Sequence, residues 1–528
     1  MYSKLEFGIF IPYQELILKI KGSQTKKVVN KTKKIKIKYE LMKKRIKNIL
    51  TKNWFFFVLL LIGIFLRIYR LEEFITFLGD QGRDAIIIKR IITFEDFPAL
   101  GPVSSIGQVF LGPFFYYLMA PFLALFRLNP VGLAFGSAFY SIISVIFAYF
   151  ILKKIDWKTA NLFLVLTTFS WGLIHNARFS WNPNLLPYFS FFTLYFTSLF
   201  FKKNLFFPFL AGTFFSFSTQ LHYLALFLAP TLILFFLINY KKILEKPSLF
   251  AKKITYFFIG FLIFYLPLIL FDLKNQFLNT KNFIKIFSEK EIIQSTSFYQ
   301  RFQETLTNFF NFTFNSKIDY FLSFTFFIIL FIYFFRKNFF QKKPLFQLVF
   351  LSFFVFILGF STLSSFRHFH YYNAIYLNFF VILAVFFAEF FSINLLTKIL
   401  VFAFLLFFIN QNRLNYPFRH PQGNFQTKIA QKIAKSIVDN NPKIPYQIVP
   451  IPFTEMDGHI RYYLEIMGKR PLAEESPQEG KELYILCYEK ECDVLNHPQW
   501  QIAAFKNKKI DKIWKVDRVK IYKIIHEK

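Results

Sequence analysis

Apolar residues along this chain do not alternate with polar ones; they fall in nearly charge-free blocks of about 15 to 23 residues, the length a helix needs to cross the hydrocarbon core of a bilayer. The blocks cover 54–68, 109–126, 131–152, 159–174, 185–201, 205–219, 221–238, 254–271, 320–335, 345–362, 371–391 and 399–409. They predict a mainly α, polytopic helical membrane protein with about 11 or 12 transmembrane segments. Two stretches interrupt the pattern outside the membrane: a long first outer loop over 69–108 and a second over 272–318. Beyond residue 410 the long apolar runs stop. Short strand-like runs at 446–449, 483–486 and 519–522 then alternate with helical periodicity at 427–438 and 460–467. The expected division is a basic cytoplasmic segment over 1–52, a transmembrane domain over 53–410 and a small α+β domain over 411–528.

Composition agrees with the pattern. Hydrophobic residues make up 55% of the 528 positions and charged ones 18%, with 83 Phe, a composition no water-exposed surface tolerates. The net charge of +33 invites a nucleic-acid reading, yet many of the lysines flank apolar blocks, where they act as topology signals. No nucleic-acid partner is expected. Gln14 and Glu15 interrupt the early apolar stretch over 7–20, so no cleavable signal peptide is predicted and the N-terminus stays cytoplasmic.

If every block crossed, Lys153-Lys154 and the 241–253 lysines would face outward, against the positive-inside bias. One early block therefore re-enters, and 109–126 is the candidate, because Gly112-Pro113 and Pro121 break its helix. The corrected topology puts the C-terminal domain outside the inner or plasma membrane. There Cys487 and Cys492 either pair or stay as thiols. It also gathers stretches rich in His, Asn, Asp and Arg on the outer face.

Those stretches hold the candidate chemistry. Gly79-Asp80-Gln81-Gly82-Arg83-Asp84 places Asp80 and Asp84 four residues apart on one helical face beside Arg83, with glycines that permit a tight start to that helix. An acid held at a membrane surface beside a cation can serve as general base on an acceptor hydroxyl. The competing role is an N-cap for a helix over 82–94. In the stretch 175–184, Arg178 near hydrocarbon needs an anionic partner, and a phosphate suits its fork; Trp181, Asn182 and Asn184 flank it. Gln220, His222 and Tyr223 interrupt an apolar run, and Arg367, His370 and Tyr371 precede another. No HxxxH or HExxH spacing is present, so anion binding is preferred to a metal site. No phosphate-binding loop or dinucleotide fingerprint appears, so no cofactor is required, although a divalent cation remains compatible.

Taken together, a long first outer loop carrying an Asp, a proline-broken block after it, many further spans and an outer C-terminal domain resemble the GT-C membrane glycosyltransferases. The group is that of the protein O-mannosyltransferases and aminoarabinose transferases. The motif 79–85, Leu111-Gly112-Pro113-Phe114-Phe115-Tyr116-Tyr117 and Arg178-Phe179-Ser180-Trp181-Asn182-Pro183-Asn184 are similar to a bacterial branch of that group. The resemblance implies inverting transfer of a sugar from a polyprenyl-phosphate-linked donor to a lipid, glycan or protein acceptor on the outer face, with Asp80 matching the first-loop base. Gln81 stands where protein mannosyltransferases place a second acid, and Leu111-Gly112-Pro113 where aminoarabinose transferases have Lys-Pro-Pro, so the donor class is implied and the acceptor class is open. A transporter or lipid flippase with a polar cavity is the alternative; it predicts paired half-sequences, and none is visible. A non-catalytic membrane anchor for the C-terminal domain is a third.

Overall fold

The computed structural model describes residues 53–104, 108–288, 297–336 and 343–527, with positions 38–40, 42–43 and 51; most of the expected basic segment 1–52 lies outside the described residues. Residues 1–61 and 62–528 form two units.

Each of the twelve apolar blocks carries a helix. The membrane body contains α1 (Trp54–Ile68), α4 (Phe114–Leu125), α5 (Val131–Lys153), α6 (Trp157–Phe169), α8 (Asn182–Ser198), α9 (Phe206–Leu221), α10 (Leu228–Ile238), α12 (Pro247–Lys274), α15 (Tyr320–Arg336), α16 (Pro344–Phe360), α17 (Asn373–Phe390) and α18 (Leu395–Arg413). Among the described residues, four stretches, Val131–Lys153, Pro247–Lys274, Phe369–Phe390 and Leu395–Arg413, are long and apolar enough to cross a membrane by themselves. Polar residues that take backbone partners end two of the others. Ser170 ends the sixth helix and its side chain caps α7 (Trp171–Ala177), while His222 separates α9 from the short 3-10 turn Tyr223–Phe227. Nearly every residue of α17 is buried, which makes it the central helix of the bundle.

The block 109–126 behaves only partly as expected. Gly112-Pro113 marks the break and α4 starts immediately after it, but Pro121 sits inside α4 without ending it. Twelve residues rise about 18 Å, well short of a hydrocarbon core of about 30 Å. Before the break, Val103 and Phe110 form an isolated β-bridge.

Both expected outer loops are folded. The first carries α2 (Leu71–Phe74) and α3 (Gly79–Ile92); the second carries α13 (Leu278–Ser288) and α14 (Phe298–Phe314), whose Phe302, Leu306, Phe309 and Phe310 are buried. Between them in sequence lies the short α11 (Tyr240–Leu244).

In the C-terminal part, α19 (Gln426–Asp439), β1 (Tyr446–Ile451), α20 (Gly458–Ile466), β2 (Glu482–Cys487), α21 (Trp500–Ala504), β3 (Lys508–Val516) and β4 (Val519–His526) build one sheet of order β1-β2-β4-β3. The first pair is parallel and the others antiparallel, and Val449, Ile485, Ile502, Phe505 and Ile524 form its core. The expected strands are present. The Lys-rich β3 is an addition: as an exposed edge strand it needs little apolar surface, and charge there blunts edge-to-edge pairing. Cys487 and Cys492 form a disulfide.

Candidate functional site

The acidic motif opens α3. The helix begins at Gly79, so Asp80 lies in its first turn rather than at the cap; the Leu78 N–H is instead taken by the Gln81 side chain at 3.1 Å. Neither Gly79 nor Gly82 has positive φ. The expectation that they ease a tight start is replaced by another reason: a Cβ on Gly79 would lie 2.1 Å from Met456 Cβ, and one on Gly82 would lie 2.1 Å from the His459 backbone nitrogen. They are small because α20 lies directly against them.

Asp80 and Asp84 do share a face, joined by Arg83. Nη1 of Arg83 donates to Asp80 Oδ1 at 2.9 Å, while its Nε and Nη2 donate to Asp84 Oδ1 at 3.0 and 2.8 Å. The Tyr116 hydroxyl donates to the same Asp84 oxygen at 3.3 Å. The two acids differ in access. The Asp80 side chain is 36% exposed, whereas that of Asp84 is 1% exposed and its Oδ2 has no partner. Burial pushes the Asp84 carboxyl up to about 6, against the pull of Arg83. Burial works to lower the Arg83 pKa, but the Asp84 and Asp80 charges outweigh it and raise it. Asp80 thus keeps one carboxylate oxygen without a protein partner and open to an approaching hydroxyl.

A second cluster forms where α8, α9 and the turn Phe369–Tyr372 meet. Trp181 contacts His370 edge-on with ring centroids 4.6 Å apart; His370 lies 5.9 Å from His222 and 4.3 Å from Tyr371; His222 stacks on Tyr223 at 4.6 Å. His368 stacks on His370 at 5.7 Å. Nδ1 of His222 accepts the Leu224 N–H. Among the described residues, His222 Nε2, the His370 ring nitrogens and the Tyr223 and Tyr371 hydroxyls have no hydrogen-bond partner, although His222 and Tyr371 are buried. Tyr223 also borders a cavity of ≈ 400 Å³ lined by Leu111, Leu226, Tyr265, Leu268 and Asp272.

The start of α4 links these parts. Leu111 lines the cavity, Gly112 abuts the Gln220 side chain, the Phe114 N–H points at Gln220 Oε1 at 3.4 Å, and Tyr116 reaches Asp84. Five residues of chain span at most about 18 Å, so the cavity wall and the Tyr116 Cα are within that distance.

Other candidates are engaged by the protein itself. Arg178 is 2% exposed and donates to the carbonyls of Leu66, Arg67, Tyr69 and Arg70, closing the C-terminal end of α1, with its guanidinium 5.1 Å from the Phe418 ring. The anion it was expected to need is a set of helix-end oxygens. Arg367 donates to Thr305 Oγ1 at 2.8 Å, to the Leu363 carbonyl at 2.8 Å and to the Ser365 carbonyl. Asn182 donates to Leu221 O, Asn184 to Phe179 O, and Gln220 to Phe264 O and Ser216 Oγ. These side chains shape the walls. Two contributors escaped the sequence reading as site residues, Tyr116, inside the motif 111–117, and His368, between Arg367 and Phe369; the signal was a hydroxyl or imidazole among Phe. Among the described residues, no group of three or more His, Cys, Asp or Glu side chains is arranged to hold a metal ion.

No protein-family model and no curated protein sequence matches the chain. Solved structures do. The crystal structure of ArnT from Cupriavidus metallidurans bound to undecaprenyl phosphate superposes with a TM-score of 0.56 at 11% identity, covering 89% of this chain and 97% of that one. Its apo state gives a TM-score of 0.57 at 11% identity, covering 90% and 98%. The coverage extends over nearly the whole length of both chains, and the protein therefore has the polytopic membrane fold of ArnT, a helical membrane body joined to a small C-terminal sheet domain.

Proposed function

We propose that the protein is an integral-membrane glycosyltransferase that moves a sugar from a polyprenyl-phosphate-linked donor to a lipid, glycan or protein acceptor on the outer face, inverting the anomeric centre, with Asp80 as general base. The observation that carries this is an accessible carboxylate joined, through Asp84, Tyr116 and the short segment 111–116, to the wall of a largely apolar cavity that Tyr223 also lines. A polyprenyl tail suits that cavity, and its phosphate then meets Tyr223 at the rim, with His222 stacked on that ring and His370 and Tyr371 packed next to His222. The shared fold with a protein crystallised with undecaprenyl phosphate supports the same donor class.

In the reaction, the acceptor oxygen forms a bond to the anomeric carbon as the bond from that carbon to the phosphate oxygen breaks. The acceptor proton passes to the unpartnered oxygen of Asp80, and the electron pair leaves with polyprenyl phosphate. The rim hydrogen-bond donors stabilise the growing phosphate charge. General-base assistance of this kind contributes about 10²- to 10⁴-fold. The step needs no cofactor. The Cys487–Cys492 disulfide supports an extracytoplasmic C-terminal domain, and because α20 of that domain lies against α3, it supports an outer location for Asp80 as well. The N-terminus is then cytoplasmic and the protein multi-pass in the inner or plasma membrane.

Incubating the purified protein with a panel of labelled polyprenyl-phosphate sugars and membrane extract tests the reading. Label moving from one donor to a new product is the expected result; no transfer from any donor would refute it.

A further inference from the structure

We propose that α20 of the C-terminal domain positions the Asp80 helix for catalysis, so that this domain is a working part of the transfer site; the inference rests on the function proposed above.

The contact is backbone against backbone. A Cβ on Gly82 would lie 2.1 Å from the His459 nitrogen and 2.2 Å from the Gly458 carbonyl carbon, and one on Gly458 would lie 2.4 Å from the Gly79 carbonyl oxygen. No side chain rotation relieves such overlaps, so α20 and α3 pack backbone to backbone at this point and a Cβ there would push them apart. Gly79, Gly82 and Arg90 lie along one stripe of α3. At the far end of that stripe, Glu465 of α20 takes a two-point ion pair from Arg90 at 3.0 and 2.8 Å, with Lys89 at 3.5 Å and Arg470 at 3.6 Å. Burial alone would raise the Glu465 pKa, but the Arg90 hydrogen bonds and the surrounding cations lower it, so it stays ionised.

The chain entering α3 is gripped from the same side. Phe77 sits edge-on to Tyr462 and Tyr463, its N–H is taken by Gln426 Oε1 at 2.8 Å, and the Glu73 carbonyl accepts the N–H groups of Asn424 and Phe425. The Tyr462 hydroxyl reaches the Leu128 carbonyl at 2.6 Å, tying α20 to the loop after α4. Asp80 is therefore flanked in sequence, at positions 77, 79 and 82, by residues that touch the C-terminal chain. A base displaced by about 1 Å can lose about 10² in rate, so a rigid mount for this helix has direct kinetic value. Gly82, Arg90, Gly458 and Glu465 are positioning residues in this account.

The test uses the full chain in lipid nanodiscs, with three readouts: sugar transfer, binding of undecaprenyl phosphate, and hydrogen exchange of amides 79–92. Gly458→Ala should lower kcat about 10²-fold, raise exchange across 79–92, and leave undecaprenyl phosphate affinity nearly unchanged, a kcat loss without ground-state loss. Arg90→Glu and Glu465→Arg should each lower kcat, and the double swap should recover most of it, which keeps the test valid if Gly458→Ala fails to fold. Exchange that rises while kcat holds, a kcat loss matched by equal loss of undecaprenyl phosphate binding, or no recovery in the double swap would overturn the proposal. If the wild-type protein turns over no donor, the functional reading itself fails, and unchanged protection of 79–92 in Gly458→Ala would then contradict the mount independently.

Discussion

The helix Gly79–Ile92 and the stretch 175–184 carry the same kind of sequence signal, charged and amide side chains close to a span, and the structure uses them in opposite ways. In the helix, Asp80 keeps an oxygen exposed and unpartnered while Arg83 and buried Asp84 hold it in place. In the second stretch, Arg178, Asn182 and Asn184 all turn to backbone carbonyls of neighbouring segments. A polar group near hydrocarbon must have a partner, and the end of an apolar helix is a ready supply of carbonyl oxygens. What separates a chemical group from an architectural one is therefore whether its polar atoms are turned to the backbone or left open to an approaching molecule; in the second stretch only Arg178 Nε and Asn184 Oδ1 among the donors and acceptors of these three side chains are buried without a partner. Arg67 makes the same point inside the bundle, donating to Ser141 Oγ and to the carbonyls of Gly63 and Thr167.

That contrast can be broken most forcefully at Arg178. Arg178→Ala leaves several buried carbonyls unsatisfied at about 1–3 kcal/mol for each group that water cannot reach. The expected outcome is a large loss of thermal stability or folded yield, measured by size-exclusion chromatography after heating. Unchanged stability with lost undecaprenyl phosphate binding would instead return Arg178 to the site. Smaller in stability but specific in function, His370→Ala and Tyr371→Phe should each weaken undecaprenyl phosphate binding about tenfold while the melting temperature moves little, because each removes one hydrogen bond to a charged group. Equal loss of stability and affinity would assign these residues to the walls.

The smallest expected effect is a pH dependence at Asp84. Its folded pKa of about 6 lies above the ordinary carboxyl value near 4, so the folded state binds the extra proton between those limits. The contribution is fully present below about pH 4 and is lost as pH rises through about 6. The stability of the wild type relative to Asp84→Asn should therefore fall over that window, as read from melting temperatures of both proteins across pH. A flat difference would show that Arg83 fully offsets the burial.

Much of this architecture was written in the apolar blocks, since a span of that length has few alternatives to helix. The helices within 69–108 and 272–318 were not, because the acids of the first and the amides of the second mask short amphipathic periodicity. The acid pair beside Arg83 and the gathering of His222, Tyr223, His370 and Tyr371 were legible from residue type and topology. The engagement of Arg178 and Arg367 was not, since most of their partners are backbone oxygens, which every residue offers alike. Nor was the reason for Gly79 and Gly82, whose neighbours at 456–459 lie hundreds of positions away in sequence.

The central claim is that Asp80 is the base. Asp80→Asn keeps the size and the hydrogen bond from Arg83 but removes the proton acceptor, so transfer from the active polyprenyl-phosphate sugar should fall by about 10²- to 10⁴-fold with undecaprenyl phosphate binding and thermal stability nearly intact. Turnover retained in that variant would contradict the account.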